Sequence, residues 1–357
     1  MITISLCMIV KNEEDSLPRC LKSVEGVVDE IVIVDTGSTD RTKEIAASFG
    51  AVVRDFEWID HFAAARNYAF SLATKQYQLW LDADDVFEEP DREKLQALKR
   101  TLDPSVDSVT MLYHLAFDAE GKPSSSLRRN RLVRRDRNFE WIGPVHEYLA
   151  VGGNIQHSDV AVTHRKERAY TDRNLRIYRK REAAGEEFSP RDLYYFANEL
   201  RDHRFYSEAI NYYEKFLHCG AVWVEDGIPA CVKLSDCYYE EGRSEEQLLA
   251  LLRSFVFDKP RPEPCVKIGD YWQAKKEYET AIFWYDLATR SEPKQETMGT
   301  RNSYASTWYP HLQMCVCNDR LGRLAEANRH NEIALSYSPN HPSMLFNRRY
   351  FTGKLKR

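Results

Sequence analysis

Carboxylates follow two apolar segments in the first half of this 357-residue chain. Asp35 directly follows a run of Ile and Val, and the sequence Asp-Ala-Asp-Asp at 82–85 follows the apolar segment 77–81. Carboxylates this closely spaced repel one another unless a cation lies between them. Oxygen ligands of this kind suit Mg²⁺ or Mn²⁺, which also bind phosphates. The spacing therefore predicts a divalent-cation site, and an acidic loop that caps the following helix is the structural alternative.

The geometry expected at this acidic segment follows from an extended backbone. In extended chain, residues two positions apart project to the same side. Asp82 and Asp84 would then approach one ligand, and the side chain of Asp85 would point away from it.

Asp35 has two interpretations that the sequence leaves open. Its carboxylate could accept backbone N–H groups of the turn at 36–40, which precedes a helix. It could equally accept hydrogen bonds from a nucleotide base or ribose at the edge of a sheet. The chain has no Gly-x-Gly-x-x-Gly sequence, which argues against a dinucleotide-binding enzyme.

Apolar runs alternate with amphipathic stretches up to about residue 85. Strands that alternate with helices imply parallel pairing, with helices on both faces of the sheet. Ligands of such sheets bind outside the carboxyl ends of the strands. The sequence therefore predicts an α/β domain over residues 1–170 with Asp35 and Asp82 at two strand ends. Predicted strands cover 2–10, 31–34, 51–54 and 77–81, and predicted helices cover 16–24 and 63–73 and a stretch ending at residue 47.

The second half of the chain has helical spacing and an internal repeat. An antiparallel helix pair of about 34 residues is the period of tetratricopeptide repeats. The corresponding positions of four copies are Ala209, Gln247, Ala281 and Ala327, and the copy that contains Gln247 is degenerate. The last interval is the longest and leaves room for an insertion at 295–307. Because such helix pairs bury their apolar faces only by stacking, residues 171–357 are predicted to form an all-α tetratricopeptide-like superhelix.

Composition and charge restrict the partners and the compartment. The formal net charge of −5 provides no strong basic field, so we expect no nucleic-acid partner. The eight cysteines include no Cys-x-x-Cys pair, and several occupy apolar positions of helical segments. This usage fits reduced thiols and a cytoplasmic location. No segment approaches the ~20 apolar residues of a membrane span, so none is expected.

A basic run lies between residues 128 and 137, where six of ten residues are arginine. Most such runs are solvated surfaces, although some of these side chains could contact a diphosphate or an acidic acceptor. If 131–133 is a strand, alternate side chains face opposite ways, and at most about half of the arginines can reach one site.

Several segments resemble family 2 glycosyltransferases of the GT-A fold, in the order in which that family has them. The segments are CMIVKNEE at 7–14, IVDTGSTD at 33–40, ARN at 65–67 and LDADD at 81–85. The sequence WIGPVHE at 141–147 resembles the later acceptor-side motif, and His164 lies where GT-A enzymes often have a metal-binding histidine. The resemblance covers about residues 1–170 and implies a Rossmann-like domain that binds a nucleotide-diphospho-sugar.

The resemblance implies a donor site for a UDP-sugar. The strand-end Asp35 would contact uracil or ribose, and Asp82 would lie near the ribose or the sugar. Arg66 has the fixed charge and planar fork that suit a phosphate or a base edge, and Trp141 could stack on a sugar ring. The donor-site residues implied in this way are Ile9, Val10, Asp35, Arg66, Asp82, Ala83 and Trp141.

The resemblance also implies a cation and a general base. Asp84 and His164 would hold Mn²⁺ or Mg²⁺, which neutralises the departing diphosphate. Asp85 would orient the other two aspartates or help to bind the cation. Inversion at the anomeric carbon requires a base on the opposite face of the sugar. We expect Glu147, whose neighbours in sequence are apolar, to be that base. Many members of the family have a Glu-Asp pair where this chain has His-Glu, so His146 is the alternative.

Family 2 domains joined to tetratricopeptide helices resemble most closely the bacterial glycosyltransferases that modify Cys or Ser of glycocin-type peptides. The expected function is therefore metal-dependent, inverting transfer of a hexose from a UDP-sugar to a peptide or protein side chain. The alternatives are transfer to lipopolysaccharide core or surface polysaccharide, and a scaffold protein with an inactive sugar-nucleotide domain. A nucleotidyltransferase is disfavoured because no glycine-rich loop follows the first strand. Apolar positions exposed on a terminal repeat would favour a homodimer.

Overall fold

The computed structural model describes residues 1–118, 120–165, 171–220, 222–291 and 298–355. The chain divides into two compact units. The first contains Met1–Ala116 and Ser126–Glu186, and the second contains Phe117–Ser125 and Glu187–Arg357. The first unit is α/β and the second is mainly helical, which confirms the predicted fold class. The domain boundary after residue 170 stays a prediction.

Four parallel strands form one side of the sheet, as the alternation of strands and helices predicts. Their order is β3-β2-β1-β4, and every neighbouring pair is parallel. The strands are β1 (Ile4–Val10), β2 (Glu30–Asp35), β3 (Val52–Asp55) and β4 (Tyr77–Trp80), and the connecting helices are α1 (Leu17–Ser23), α2 (Thr42–Ser48) and α3 (Phe62–Leu72). Each element lies within two residues of its predicted limits, which confirms these predictions.

The remaining strands make the sheet mixed. The sheet continues from β4 through β7, β6 and β10 to β5, and β8 pairs with β9 in a separate hairpin. β7 is antiparallel to β4, whereas β10 is parallel to β6 and antiparallel to β5. These elements are β5 (Asp85–Val86), α4 (Glu89–Thr101), β6 (Ser108–Phe117), β7 (Pro123–Arg134), β8 (Glu140–Ile142), β9 (Tyr148–Ala150), β10 (Ile155–His164) and α5 (Arg173–Ala183). Since β7 follows β6 through a short connection and not a helix, it does not continue the parallel pattern.

The core lies on both faces of the sheet because alternate residues of each strand point to opposite sides. On β1, Leu6 and Met8 pack into one apolar cluster, and Cys7 packs into the other. The second cluster also contains Trp80 of β4 and Trp141 of β8. The parallel register sets the ends of these strands at a common edge, where the acidic residues follow.

The second unit consists of successive helix pairs, each packed on the next. The pairs are α6 (Pro190–Asp202) with α7 (Tyr206–Leu217), α8 (Val224–Glu240) with α9 (Ser244–Arg253), α10 (Pro262–Ala274) with α11 (Tyr278–Arg290), and α12 (Trp308–Arg320) with α13 (Leu324–Tyr337), followed by α14 (Pro342–Leu355). Each predicted repeat position is the fourth residue of the second helix of a pair. The three alanines there have no exposed surface, whereas Gln247 is half-buried.

The predicted insertion at 295–307 lies partly outside the described residues. Its described part contains a two-residue strand, β11 (Arg301–Asn302), and a 3-10 helix at Ser303–Ser306. Within the described ranges, no helix combines the length and the hydropathy that a membrane span requires.

Candidate active site

The acidic segment after β4 is a turn and not an extended chain. The backbone N–H of Asp85 donates to the carbonyl of Asp82 at 3.0 Å, and the N–H of Asp82 donates to Asp85 Oδ2 at 3.1 Å. Because the chain reverses here, the alternation of extended backbone does not apply. The expectation that the Asp85 side chain points away from the site is therefore wrong. Asp85 begins β5 and has no exposed surface.

Asp84, Asp85 and His164 form a cluster whose ligand atoms all lie within 4.8 Å of one another. The cluster exists because β10 ends at His164, which pairs in antiparallel register with Asp85 on β5. The Nδ1 atom of His164 lies 3.6 Å from Asp84 Oδ1 and 3.4 Å from Asp85 Oδ1. The hydroxyl of Tyr113 on β6 lies 2.9 Å from the same nitrogen.

The electrostatics of this cluster fit a divalent cation. Burial, with the nearby carboxylates of Asp82 and Asp85, raises the pKa of Asp84 to about 6, although His164 opposes this rise. The adjacent Asp85 carboxylate raises the pKa of His164. Asp85 Oδ1 is buried and accepts no hydrogen bond within the part of the chain that the structure describes. Carboxylate and imidazole ligands are compatible with Mn²⁺ or Mg²⁺, and a cation would satisfy this oxygen and relieve the repulsion between the carboxylates.

Arg66 on α3 joins two of the predicted site residues. Its Nη2 donates to Asp82 Oδ1 at 2.7 Å, and its Nε donates to Glu147 Oε1 at 2.5 Å. Its guanidinium lies 4.7 Å from the Trp141 ring centroid and 5.1 Å from that of Trp80. Although burial opposes it, Arg66 holds the pKa of Asp82 below its usual range. The structure thus brings Arg66, Asp82, Trp141 and Glu147 together.

The hairpin of β8 and β9 positions the two candidate bases. Glu147 and His146 lie in the connection between these strands, and His146 has a left-handed backbone conformation with φ 50°. Two hydrogen bonds between the Asn67 side chain and the Trp141 backbone, of 2.9 and 2.8 Å, fasten the hairpin to α3. The apolar neighbours of Glu147 in sequence predicted apolar surroundings, but its carboxylate contacts the guanidinium of Arg66.

Asp35, the last residue of β2, is held by the turn that follows it. Its Oδ1 accepts hydrogen bonds from the backbone N–H groups of Gly37 and Ser38, at 2.9 and 2.8 Å, which is the structural interpretation left open above. Its Oδ2 is buried and has no partner within the described ranges, so one oxygen remains for a ligand. The register of β1 and β2 sets Asp35 opposite Val10.

The other predicted donor-site residues are largely buried. Val10 and Ala83 belong to the core, and Ile9 is half-buried beside the second apolar cluster. Trp141 is 4% exposed, and its ring packs edge-to-face on Trp80 with centroids 4.8 Å apart. Since the ring belongs to the core, contact between Trp141 and a sugar stays a prediction.

Arg131 was predicted only as a member of the basic run, and its buried position beside the acidic cluster was not predicted. Arg131 lies on β7 and donates through Nη1 to Asp85 Oδ2 at 2.9 Å, and neither side chain has any exposed surface. The neighbouring Arg128 instead donates to the carbonyl of Ser158 at 2.7 Å. Arg131 directly precedes two apolar residues, Leu132 and Val133, in a strand. A charged residue in such a strand is buried only when it is paired, so this sequence could have indicated a buried ion pair.

Comparisons with known proteins agree with this architecture. The family model for glycosyl transferase family 2 matches residues 5–154. A TPR repeat-containing protein of Synechococcus elongatus is 42% identical over 150 residues, which are 42% of this chain and 36% of that protein. The SPbeta prophage-derived glycosyltransferase SunS of Bacillus subtilis is 27% identical over an alignment of 230 residues that covers 60% of this chain and 53% of SunS. The chain thus spans about a third to a half of the length of these curated relatives.

Solved structures resemble the chain less closely. A crystal structure of MamA matches with a TM-score of 0.37 and 17% identity, covering 46% of this chain and 81% of that one. PilF of Pseudomonas aeruginosa matches with a TM-score of 0.38 and 14% identity, covering 51% and 74%. Residues 5–154 thus match the family 2 glycosyltransferase model and lie in a mixed α/β unit, and a region of tetratricopeptide-like helix pairs follows.

Proposed function

We propose that the chain is a metal-dependent, inverting glycosyltransferase that moves a hexose from a UDP-sugar to a Cys or Ser side chain of a peptide or protein. The observation that carries this proposal is the cluster of Asp84, Asp85 and His164 at the edge of the sheet of a family 2 domain. Bound there, Mn²⁺ or Mg²⁺ would supply a Lewis acid that neutralises charge on the departing diphosphate.

The donor would be held by groups that the fold already fixes. Asp35 Oδ2 would accept a hydrogen bond from the base or the ribose, since this oxygen has no partner among the described residues. Arg66 holds Asp82 in place through a 2.7 Å hydrogen bond, so Asp82 would meet the ribose or sugar in one orientation. The strand end at Ile9 and Val10 and the backbone of Ala83 would border the nucleotide.

Glu147 is the proposed general base. Its Oε1 is paired with Arg66, and Oε2 would take the proton of the acceptor hydroxyl or thiol. The acceptor oxygen or sulfur would then bond to the anomeric carbon as the bond to the diphosphate oxygen breaks on the opposite face. His146, next to it in the same connection, is the second candidate.

The proposed acceptor rests on the helical unit and on the resemblance to glycocin-type glycosyltransferases. Stacked helix pairs present extended surfaces of the kind that bind peptides. A thiol has a free pKa near 8.5, so it asks less of a base than a hydroxyl does. Transfer to lipopolysaccharide core or surface polysaccharide is the second candidate, because family 2 domains of similar sequence build those polymers.

Mass spectrometry of acceptors incubated with the full chain tests this proposal. Cys-containing and Ser-containing peptides, with a saccharide acceptor in parallel, are offered a panel of UDP-sugars with Mn²⁺ or with a chelator. We expect one hexose added to a peptide in the Mn²⁺ reaction only. Transfer to the saccharide alone would exclude the peptide acceptor and support the saccharide one. Absence of transfer and of donor hydrolysis under every condition would contradict the proposed enzyme activity.

A further inference from the structure

Arg131 is a cation with no exposed surface that contacts the acidic cluster from within the sheet. Its guanidinium lies between two aromatic rings, 3.8 Å from the Trp80 centroid and 4.5 Å from the Tyr113 centroid. Its Nη1 donates to Asp85 Oδ2 at 2.9 Å and to the carbonyl of Trp80 at 3.2 Å. The two rings and these two acceptors fix both the plane and the position of the guanidinium.

Asp85 is held in one orientation as a result. Its Oδ2 receives two donors, Arg131 Nη1 and the backbone N–H of Asp82. Its Oδ1 receives no hydrogen bond in the described part of the chain and lies 3.4 Å from Nδ1 of His164. One oxygen is therefore anchored, and the other is directed to the position that Asp84 and His164 share.

Stability alone is a poor explanation for Arg131. Two of its nitrogens, Nε and Nη2, are buried and have no hydrogen-bond partner within the described ranges. Burying a guanidinium with unsatisfied donors is costly, and buried ion pairs are often replaced by apolar side chains without loss of stability. A buried arginine that contacts a candidate metal ligand is instead the arrangement expected of groups that orient such ligands.

We propose that Arg131 is a positioning residue of the metal centre, which directs Asp85 Oδ1 at the cation by anchoring Asp85 Oδ2. The inference rests on the proposed function, because it assumes a divalent cation at Asp84, Asp85 and His164. In this role Arg131 would act through Asp85, with which it is paired, and would not itself contact the cation or the donor. Its loss should therefore weaken Mn²⁺ binding by about 10- to 100-fold, as changes in residues that orient metal ligands do.

A double-mutant cycle on the full chain tests this role. Mn²⁺ affinity, with and without UDP, is measured by the electron paramagnetic resonance signal of free Mn²⁺ for the unaltered chain, Arg131→Met, Asp85→Asn and the double variant. We expect Arg131→Met to bind Mn²⁺ about 10- to 100-fold more weakly. The double variant should bind no more weakly than Asp85→Asn alone, because Arg131 acts only through that carboxylate.

Lys99→Met is the matched control. Lys99 is another buried cation paired with a carboxylate, Asp29, at 2.8 Å, and Asp29 also accepts the N–H of Ile4 at the start of β1, at the opposite end of the strand. Its replacement should lower the thermal unfolding temperature and leave Mn²⁺ affinity unchanged. If Arg131→Met does not fold, the double variant can still be measured, since it leaves no buried charge unpaired. Its Mn²⁺ affinity relative to that of Asp85→Asn then tests whether Arg131 acts only through Asp85.

The outcomes separate this inference from the proposed function. Normal Mn²⁺ affinity in Arg131→Met, or a further loss in the double variant beyond Asp85→Asn, would overturn the positioning role alone. Absence of Mn²⁺ binding by the unaltered chain, with and without UDP, would overturn the metal centre and the inference together.

Discussion

At the scale of single residues, two charged networks meet at Asp82. Arg66 links the Asp82 side chain to Glu147, and the backbone N–H of Asp82 links to the carboxylate of Asp85. Asp85 belongs to the candidate metal cluster with Asp84 and His164. The candidate base and the candidate cation site are therefore joined through a chain of hydrogen bonds that passes through Asp82.

Asp84→Ala should abolish Mn²⁺-stimulated hydrolysis of a UDP-sugar. The variant removes one ligand of the proposed cation, and neutralisation of the leaving diphosphate depends on that cation. Hydrolysis is measured as UDP released with Mn²⁺ and with a chelator. Asp55→Ala is the control, because Asp55 ends β3 at the same edge of the sheet but is exposed and pairs with Lys43. Full Mn²⁺-stimulated hydrolysis in Asp84→Ala would exclude the metal role of this residue.

Glu147→Gln should keep donor binding and lose transfer. The glutamine oxygen can still accept the hydrogen bond of Arg66, so the hairpin should stay in place, but the amide cannot take a proton. We expect transfer to a Ser-containing peptide to fall by about 10²- to 10⁴-fold, and calorimetry should give unchanged UDP affinity. Unchanged transfer would remove Glu147 from the mechanism and direct attention to His146.

The positions of the site residues were only partly predictable from sequence. The family resemblance implied that Asp84 and His164 share a cation, and the structure brings these two side chains together. The predicted orientation of the Asp85 side chain was wrong because extended geometry was assumed where the backbone turns. The buried pairing of Arg131 was not predicted because its partner is 46 positions away in sequence, and local spacing carries no information on pairing between strands of a sheet.

At the scale of elements, the first helices of two neighbouring repeats each contain a lysine, and the two lysines have different partners. Lys233 on α8 donates to the Tyr194 hydroxyl at 2.9 Å and to Asn198 Oδ1 at 3.0 Å, both on α6. Burial, reinforced by Arg201, lowers the pKa of Lys233 to about 7. Lys267 on α10 instead pairs with Asp236 at 2.8 Å. The hydrogen bonds of Lys233 thus join two helices, and no ion pair of its ammonium group is found in the part of the chain that the structure describes.

Lys233→Met should therefore stabilise the chain at neutral and acidic pH. An unfolded lysine has a pKa near 10.4, above the folded value, so the unfolded state binds more protons between about pH 7 and pH 10. Stability of the unaltered chain should rise over that interval as the cost of burying the charge is removed. The variant should gain about 1–2 kcal/mol near pH 6 and lose this gain toward pH 10.

Chemical denaturation of both proteins across that pH range measures the effect. Lys267→Met is the matched control, because Asp236 raises the pKa of Lys267 despite its burial, and its removal should not stabilise the chain. The same pH dependence in Lys233→Met and in the unaltered chain would contradict the interpretation.

The periodicity of the sequence predicted element limits where the elements pack regularly. The three repeat positions occupied by alanine are fully buried, and a small residue is required where two helices pack closely. Gln247 was predicted to belong to a degenerate copy and is half-buried. The antiparallel entry of β7 into the sheet was not predicted, because strand alternation describes only strands that are separated by helices.

At the scale of the whole molecule, the proposed chemistry belongs to the first unit and the proposed peptide binding to the second. Every residue of the candidate metal cluster and both candidate bases lie in the first unit. The segment Phe117–Ser125 belongs to the second unit, where Ser303 donates to the carbonyl of Ser124 and Asn340 donates to Glu120. The unit composition was not predictable from sequence, because the contacts of this nine-residue segment join it to residues 179 and 220 positions later.

A chain that ends at Glu186 should bind UDP with Mn²⁺ but fail to glycosylate a peptide. The first unit retains the sheet edge, whereas the proposed peptide-binding helices are removed. Donor binding is measured by calorimetry and transfer by mass spectrometry, with circular dichroism to establish that the shortened chain is folded. Peptide transfer at the rate of the full chain would exclude an acceptor role for the helical unit.

The most direct measurement is a calorimetric titration of UDP into the full chain with and without Mn²⁺. Our prediction is that UDP binds at least tenfold more tightly when Mn²⁺ is present, a gain of about 1.4 kcal/mol. UDP affinity that is the same with and without Mn²⁺, or no binding in either condition, would contradict it.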